Sequence, residues 1–502
     1  MTLRMIPASG QTYTQILKST MLMGGSSLVN VALSIIRNKA LAVLVGPEGV
    51  GLMGLYQSIV DIAQTAAGLG LGGSGVRQVA EAAGTGDEAR IAQSAKALRR
   101  ISMILGLLGA LLLAALAFPV SDFTFGDYQH AGGVALLSLA VFFRIVSSGQ
   151  TALIQGLRGI ANLARINVLV GFFSTVITVP LIYLFGTQAI APSVVAIAAV
   201  TTLSTWWYSR RIGAHSPRMS ARQFGQEWAP LLRFGAVFMA SGLLTFGAAY
   251  AIRIIVLKDG GVMAAGLYQA AWGLGGLYAG FILQAMGTDF YPRLTTTADN
   301  HAECNRLVNE QMEISILLAG PGLLATLTLA PLMMSLFYSS EFHEAVDLLR
   351  WICLGMMLRI IAWPMGFIIL AKRAQTIFFW TEVAATLVHV GLAWHFVSKF
   401  GTPGAGMAFF GLYVWHSILI YVIVRRLTGF RGSAANRRHV LLFLPASVLV
   451  FSAFWVLPLW PAIGIGALAV ALTGIYSLRM LIQLLPPEVM PAVIRGWIAK
   501  FA

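Results

Sequence analysis

The sequence alternates between long apolar stretches and short polar connections. Because an apolar helix needs about 20 residues to cross the hydrocarbon core of a bilayer, each of these stretches is long enough to span a membrane. We therefore expect an all-α polytopic membrane protein with about 14 transmembrane helices. The expected spans are 16–45, 50–75, 99–118, 131–155, 163–185, 189–209, 229–257, 263–291, 310–336, 346–371, 376–397, 404–424, 440–458 and 462–483.

The composition agrees with this pattern and excludes a soluble protein. Of the 502 residues, 58% are hydrophobic and only 11% are charged, whereas a soluble chain carries about 25% charged residues. Two cysteines, Cys304 and Cys353, are too few for a disulfide framework or a zinc site. The histidines show no metal-ligand spacing, so we expect no metal ion and no bound cofactor.

The distribution of charge predicts the orientation. The formal net charge is +15, and the basic residues concentrate in the connections that follow the even-numbered spans, including Arg210-Arg211 and Arg425-Arg426. The other connections are short and acidic. By the positive-inside rule, the basic connections and both termini lie in the cytoplasm. This explains the basic charge without a nucleic-acid partner.

Short matches at a nearly constant offset indicate an internal duplication. Gly54–Gln57 and 266–269 both read GLYQ, and Arg144 and Arg158 recur as Arg359 and Arg373. Each repeat holds six spans, an even number, so both enter the membrane in the same direction and predict a parallel pseudo-twofold. The expected domains are an N-lobe at 1–215, a C-lobe at 216–430, and two extra helices with an interfacial tail at 431–502.

Five basic residues fall inside predicted spans: Arg37, Lys39, Arg144, Arg253 and Arg359. Each arginine at the bilayer centre costs at least about 2.5–3.5 kcal/mol unless it meets water or a partner. Acids within the spans are too few to pair them all. The set therefore predicts a cavity that binds an anion such as phosphate or pyrophosphate. The alternative is that each arginine pairs with a carboxylate or a carbonyl at a helix interface.

Three acids lie within or at the ends of spans: Asp61, Asp289 and Glu382. Intramembrane carboxylates can bind a coupling proton or sodium ion in transporters. The alternative is an ion pair with a neighbouring arginine, which we favour for Asp289 because Arg293 follows it by four residues.

The segment from Gly70 to Gly75 matches the G-x-G-x-x-G pattern of dinucleotide-binding proteins. No strand precedes it, and an apolar helix does. Small residues that allow close helix packing explain the pattern better than a nucleotide site.

Three segments carry a family resemblance: NKALAVLVGPEGVGLMGLYQ (Asn38–Gln57), GTDFYPRL (Gly287–Leu294) and LAKRAQTIFFWTEV (Leu370–Val383). They resemble the matching segments of O-antigen translocases, the Wzx-type lipid-linked oligosaccharide flippases of the MOP (multidrug/oligosaccharidyl-lipid/polysaccharide) exporter superfamily. The resemblance implies two six-helix lobes around a central cavity. It also implies transfer of undecaprenyl-pyrophosphate-linked glycans across the bacterial inner membrane, with cationic cavity residues for the pyrophosphate.

The leading hypothesis is therefore a flippase, not an enzyme, that works by alternating access as a monomer. Its partners would be the lipid-linked oligosaccharide, membrane lipids and other polysaccharide-assembly proteins, with coupling to H⁺ or Na⁺ left open. The glycan would meet scattered polar residues: Gln57, Gln150, Asn167 and Gln269. The alternatives are a lipid II-type or multidrug exporter of the same superfamily and, from another class, a membrane-embedded glycan polymerase or ligase.

Overall fold

The computed structural model describes residues 9–210, 212, 221–285 and 290–484, and every regular element in them is helical. Short 3₁₀ turns at Gly186–Ala189 and Ser340–Ala345 precede α7 and α12. The helices are α1 (Ser9–Ala67), α2 (Leu71–Gly84), α3 (Glu88–Ala115), α4 (Ala117–Phe125), α5 (Ala131–Gly156), α6 (Ile160–Phe185), α7 (Ile190–Ser209), α8 (Ala221–Ala285), α9 (Tyr291–Thr296), α10 (His301–Thr328), α11 (Ala330–Phe337), α12 (Val346–Ala371), α13 (Gln375–Phe400), α14 (Pro403–Thr428), α15 (Ala434–Val456) and α16 (Leu459–Leu484).

Within this part of the chain, eleven stretches are long and apolar enough to cross a membrane. The three longest contain 39, 50 and 40 residues, which is enough for two passages of about 20 residues each. Each of the three is interrupted by a glycine with positive φ, namely Gly46 (62°), Gly186 (58°) and Gly261 (74°). Counting each as two passages gives about 14, and the predicted fold class is confirmed.

The duplication is visible in the backbone. Helix α12 (Val346–Ala371) begins and ends 215 residues after α5 (Ala131–Gly156), and α13 stands at the same distance from α6. The positive-φ breaks repeat as well, because Gly46 corresponds to Gly261 and Gly186 to Gly401. Both halves of the sequence therefore fold into the same succession of helices and breaks.

Two arginines give the most specific evidence for the repeat. Arg158 and Arg373 both have φ of 55°, a left-handed conformation that costs a non-glycine residue roughly 1–2 kcal/mol. Their loops have the same hydrogen bonds, since the amide nitrogens of Gly159 and Ala374 donate to carbonyls five residues earlier in the chain. A strained turn preserved in both copies indicates a common ancestor of the two halves.

The helices form two compact units. One contains the described residues up to Gly266 together with 337–341, and the other contains 267–336 and the described residues from 342. This division differs from the boundary expected at residue 215, because the first part of α8 packs with the N-terminal helices. At Gly266 the approach is so close that an added Cβ would lie 1.8 Å from the carbonyl oxygen of Pro47.

In the second unit, α15 and α16 pack against α10, and polar contacts join α15 to both of the other helices. His439, which is 1% exposed, lies with its Nε2 3.1 Å from Glu313 Oε1 and its Nδ1 3.1 Å from the Tyr476 hydroxyl. Nearby, the Asn436 side-chain amide donates to the carbonyl of Asn309 at 2.9 Å. The two helices beyond the repeat are thus fastened to it by hydrogen bonds. The predicted interfacial tail at 485–502 lies outside the described residues.

We expect His439→Ala to lower the unfolding free energy by about 1–3 kcal/mol, because it leaves a half-buried carboxylate and a half-buried hydroxyl without their partner. Chemical unfolding in detergent micelles measures this change. Arg438→Ala, on the same helix but exposed, is the control and should change stability by less than about 0.5 kcal/mol. Equal effects of the two substitutions would refute the role given to His439.

Candidate functional site

Arg144 lies near the middle of α5 and forms an ion pair with Asp61 on α1. The two side chains are 28% and 31% exposed. Arg144 therefore has the carboxylate partner that the alternative interpretation expects at a helix interface, because Asp61 faces α5. Holding both charges together costs less than holding either alone in a region of low dielectric constant.

Arg253, on the first part of α8, reaches the same stretch of α1. Its Nη1 donates to the Ser58 hydroxyl at 2.9 Å, and that hydroxyl donates in turn to the carbonyl of Gly54 at 2.8 Å. Ser58 and Asp61 are three residues apart, so they are neighbours on one helix face. The structure thus brings two of the predicted arginines to adjacent positions along α1.

Arg37 is anchored to a different helix. Its Nη1 donates to the Ser174 hydroxyl on α6 at 3.0 Å, and Lys39 follows it on α1 as a half-buried residue. A serine hydroxyl orients a guanidinium without neutralising it. Arg37, Arg144 and Arg253 therefore bring three guanidinium groups to α1 and the helices packed against it, with Asp61 paired to Arg144.

A cavity of about 380 Å³ opens beside Arg144. Its volume falls in the range of about 300–1,000 Å³ that is usual for ligand sites. A smaller cavity of about 170 Å³ shares Gln64, Gly72 and Ser148 with it and adds apolar side chains such as Phe238 and Phe246. The larger cavity is lined by Gln64, Gly72, Arg144, Ser147, Ser148, Thr151, Ala152 and Gln155.

The glycines of the G-x-G-x-x-G segment allow close packing, as predicted. A Cβ on Gly70 would lie 2.1 Å from the carbonyl oxygen of Gly235, and one on Gly75 would lie 2.9 Å from Leu98. Gly72 has an additional consequence, because a Cβ there would lie 2.9 Å from the Ser148 hydroxyl in the wall of the cavity.

Arg359 lies in the second unit, on α12. Its guanidinium carbon is 4.6 Å from the ring centroid of Trp363 and 5.8 Å from that of Tyr413, so aromatic faces contribute to its stabilisation. Its Nε is buried without a hydrogen-bond partner among the described residues. Glu382, half-buried on α13, interacts with it electrostatically.

Two histidines, His389 and His416, lie close enough to Arg359 to interact with it electrostatically. They were not predicted from the sequence, because their spacing fits no metal site. His389 packs against Phe409 and His416 against Tyr413, with ring centroids 5.8 and 5.7 Å apart. Within the described chain, His389 Nε2 and His416 Nδ1 are buried without hydrogen-bond partners. The second unit thus holds a buried cluster of titratable side chains.

The four predicted glycan contacts do not line either cavity. Gln150 is 6% exposed, and its side-chain oxygen accepts a hydrogen bond from Thr205 at 2.5 Å. Gln57, Asn167 and Gln269 are half-buried on α1, α6 and α8. The predicted coupling residue Asp289 lies outside the described residues.

Sequence analysis also missed most of the cavity wall. Arg144, Ser147, Ser148, Thr151 and Gln155 recur at spacings of three and four residues, which places them on one face of a helix. That periodicity is present in the sequence, but neutral polar residues in a helix are a weaker signal of a site than isolated charges within an apolar span.

Residues 40–347 match the polysaccharide biosynthesis protein family. The chain belongs to that family. It is also 23% identical over 430 residues to the lipid III flippase of Escherichia coli (strain K12), an alignment that covers 82% of this chain and 99% of that protein. The lipid III flippase of Shigella flexneri gives the same values.

Two solved structures share the fold of this polysaccharide biosynthesis protein. One is an inward-facing multidrug resistance MATE family transporter of the MOP superfamily, with a TM-score of 0.67 at 20% identity, covering 80% of this chain and 94% of that one. The other is the lipid II flippase MurJ in an inward closed conformation, with a TM-score of 0.66 at 12% identity, covering 93% and 100%. The chain is a multi-pass membrane protein with the fold of the MOP superfamily.

A double-mutant cycle tests the Asp61–Arg144 ion pair. We expect Asp61→Asn and Arg144→Gln to show a coupling energy of about 1–3 kcal/mol in chemical unfolding, as residues in direct contact do. The reference is the cycle of Arg77 and Glu81, an ion pair with both side chains more than half exposed, for which about 0.3–0.5 kcal/mol is expected. A coupling at Asp61–Arg144 no larger than this reference would contradict the pairing.

Proposed function

We propose that this protein is a flippase for an undecaprenyl-pyrophosphate-linked oligosaccharide, the precursor of O-antigen or a related surface polysaccharide. It acts in the bacterial inner membrane, with both termini in the cytoplasm, and moves the headgroup from the cytoplasmic to the periplasmic leaflet by alternating access. The observation that carries the proposal is the set of three guanidinium groups, Arg37, Arg144 and Arg253, on membrane-spanning helices of one unit, with Arg144 in the wall of a polar cavity.

The chemistry of these side chains suits a pyrophosphate. Guanidinium groups form forked, charge-assisted hydrogen bonds with phosphate oxygens, and such contacts are stronger where the dielectric constant is low. In the empty protein, Asp61 compensates Arg144. A pyrophosphate that reaches Arg144 replaces this carboxylate as the anionic partner, so the arginine is compensated both with and without substrate.

The membrane potential favours export of such a headgroup. A dianion that moves outward across a membrane with a negative interior gains roughly 4.6 kcal/mol per 100 mV, provided its charge is not neutralised. The polyprenyl tail remains in lipid, so only the headgroup needs a polar route. Coupling of H⁺ or Na⁺ through Asp61 or Glu382 remains a prediction. So does the contribution of Arg359 and Lys39 to pyrophosphate binding.

The guanidinium groups weigh against a multidrug exporter, because arginine side chains repel amphiphilic cations. A lipid II-type flippase would need the same arginines, since its substrate also carries a pyrophosphate. The similarity to two lipid III flippases over 82% of the chain favours a surface-polysaccharide precursor.

We expect Arg37→Gln, Arg253→Gln and the charge-balanced pair Asp61→Asn/Arg144→Gln each to lower flipping about tenfold, because each removes a charge-assisted contact worth about 1.5–3 kcal/mol. Flipping is measured in proteoliposomes as the rate at which undecaprenyl-pyrophosphate-linked oligosaccharide becomes accessible to an enzyme outside the vesicle. In the host, each variant should also produce less surface polysaccharide than the wild type.

Arg77→Gln is the matched control, since Arg77 is an exposed arginine paired with Glu81 on α2. Its flipping rate should stay at the wild-type value. If Arg37, Arg144 and Arg253 are neutralised together and flipping persists undiminished, their anion-binding role is wrong.

A further inference from the structure

The wall of the larger cavity contains a stripe of neutral polar side chains that leads away from Arg144. Ser148, Thr151 and Gln155 follow Arg144 on α5 at helical spacing, so they share its face. The distance along the helix from Arg144 to Gln155 is about 16 Å, at 1.5 Å per residue. Gln155 is exposed, whereas Ser148 and Thr151 are half-buried. The cavity wall therefore has a cationic side chain at one end and uncharged polar side chains along the rest of α5.

The hydroxyl groups in this stripe differ in their hydrogen bonding from most other helical hydroxyl groups of the described residues. A serine or threonine in an apolar helix usually donates to a backbone carbonyl one turn earlier, as Ser58, Thr65 and Ser193 do here. Ser148 and Thr151 make no such bond within the described chain, nor do the amides of Gln64 and Gln155 bond to another residue there. Their donors and acceptors are available to a ligand.

The chemistry of these groups selects the class of ligand. Hydroxyl and carboxamide side chains offer both donors and acceptors but no charge, which matches the hydroxyl groups of a sugar. No carboxylate and no aromatic side chain is among the residues that line the larger cavity. A phosphate bound at Arg144 would supply an anion to the arginine, and a saccharide beside it would supply hydrogen-bond partners to the hydroxyl and carboxamide groups.

We infer that this stripe, formed by Gln64, Ser148, Thr151 and Gln155, is a saccharide subsite that binds the sugar next to the pyrophosphate. The inference rests on the proposed function, because it places the pyrophosphate at Arg144. Gly72 belongs to the subsite as a spacer, since any larger residue would crowd the Ser148 hydroxyl. The subsite makes recognition depend on the sugar nearest the lipid, whereas the arginines recognise only the phosphates.

Two probes separate the roles: undecaprenyl pyrophosphate, and the same lipid carrying one N-acetylhexosamine. Dissociation constants are measured by calorimetry with the full-length protein in detergent. We expect the wild type to bind the sugar-bearing lipid at least tenfold more tightly. The double variant Ser148→Ala/Thr151→Val should lose about tenfold of that preference, since two neutral hydrogen bonds are removed, and should bind the bare lipid as the wild type does.

The matched control is Ser138→Ala/Thr201→Val, which makes the same chemical changes on α5 and α7 outside the cavity and should retain the preference. A second variant, Gly72→Ala, should weaken binding of the sugar-bearing lipid alone. Unchanged binding of the bare lipid shows in each case that the variant is folded.

The outcomes distinguish the two proposals. If the wild type binds both lipids equally, or the double variant keeps the full preference for the sugar, the subsite is wrong while the pyrophosphate site stands. If the wild type binds neither lipid, the proposed function fails and the subsite fails with it.

Discussion

Positive charge inside a membrane is the constraint on which this structure depends. Every arginine within a span must have a compensating partner, and the partners differ: a carboxylate for Arg144, serine hydroxyls for Arg37 and Arg253, and aromatic faces for Arg359. The ion pair with Asp61 joins two opposite formal charges, and the carboxylate of Glu382 interacts electrostatically with Arg359. Placing so many guanidinium groups within membrane spans is expensive for a purely structural role, and binding of an anionic substrate would explain it.

The duplicated backbone explains how such charges came to be placed symmetrically in the sequence. Arg144 and Arg359 occupy equivalent positions on α5 and α12, which begin and end 215 residues apart. Their surroundings have nevertheless diverged. Arg144 faces an aspartate and a polar cavity, whereas Arg359 lies against tryptophan and tyrosine with two buried histidines nearby. Equivalent positions in the repeat therefore need not perform the same task, and the two arginines are best tested separately.

Much of the fold could be predicted from the sequence, because hydrophobic length and the offset of short matches depend on the chain alone. The helices, their repetition and the fold class followed from these signals. Partners across helix interfaces could not be predicted, since they depend on how helices rotate and pack. The pairing of Asp61 with Arg144 is one example. Gln150, predicted to contact a glycan, is another, because it faces Thr205 within the packed unit. The polar stripe of α5 was predictable in principle from its periodicity.

The most direct test of the central claim is a comparison of three lipids that differ only in the number of phosphate groups: undecaprenol, undecaprenyl phosphate and undecaprenyl pyrophosphate. Their dissociation constants are measured for the wild type and for a variant with Arg37, Arg144 and Arg253 changed to Gln and Asp61 changed to Asn. We predict that wild-type affinity rises with each added phosphate and that this dependence disappears in the variant. Equal wild-type affinity for all three lipids would contradict an arginine site for an anionic headgroup.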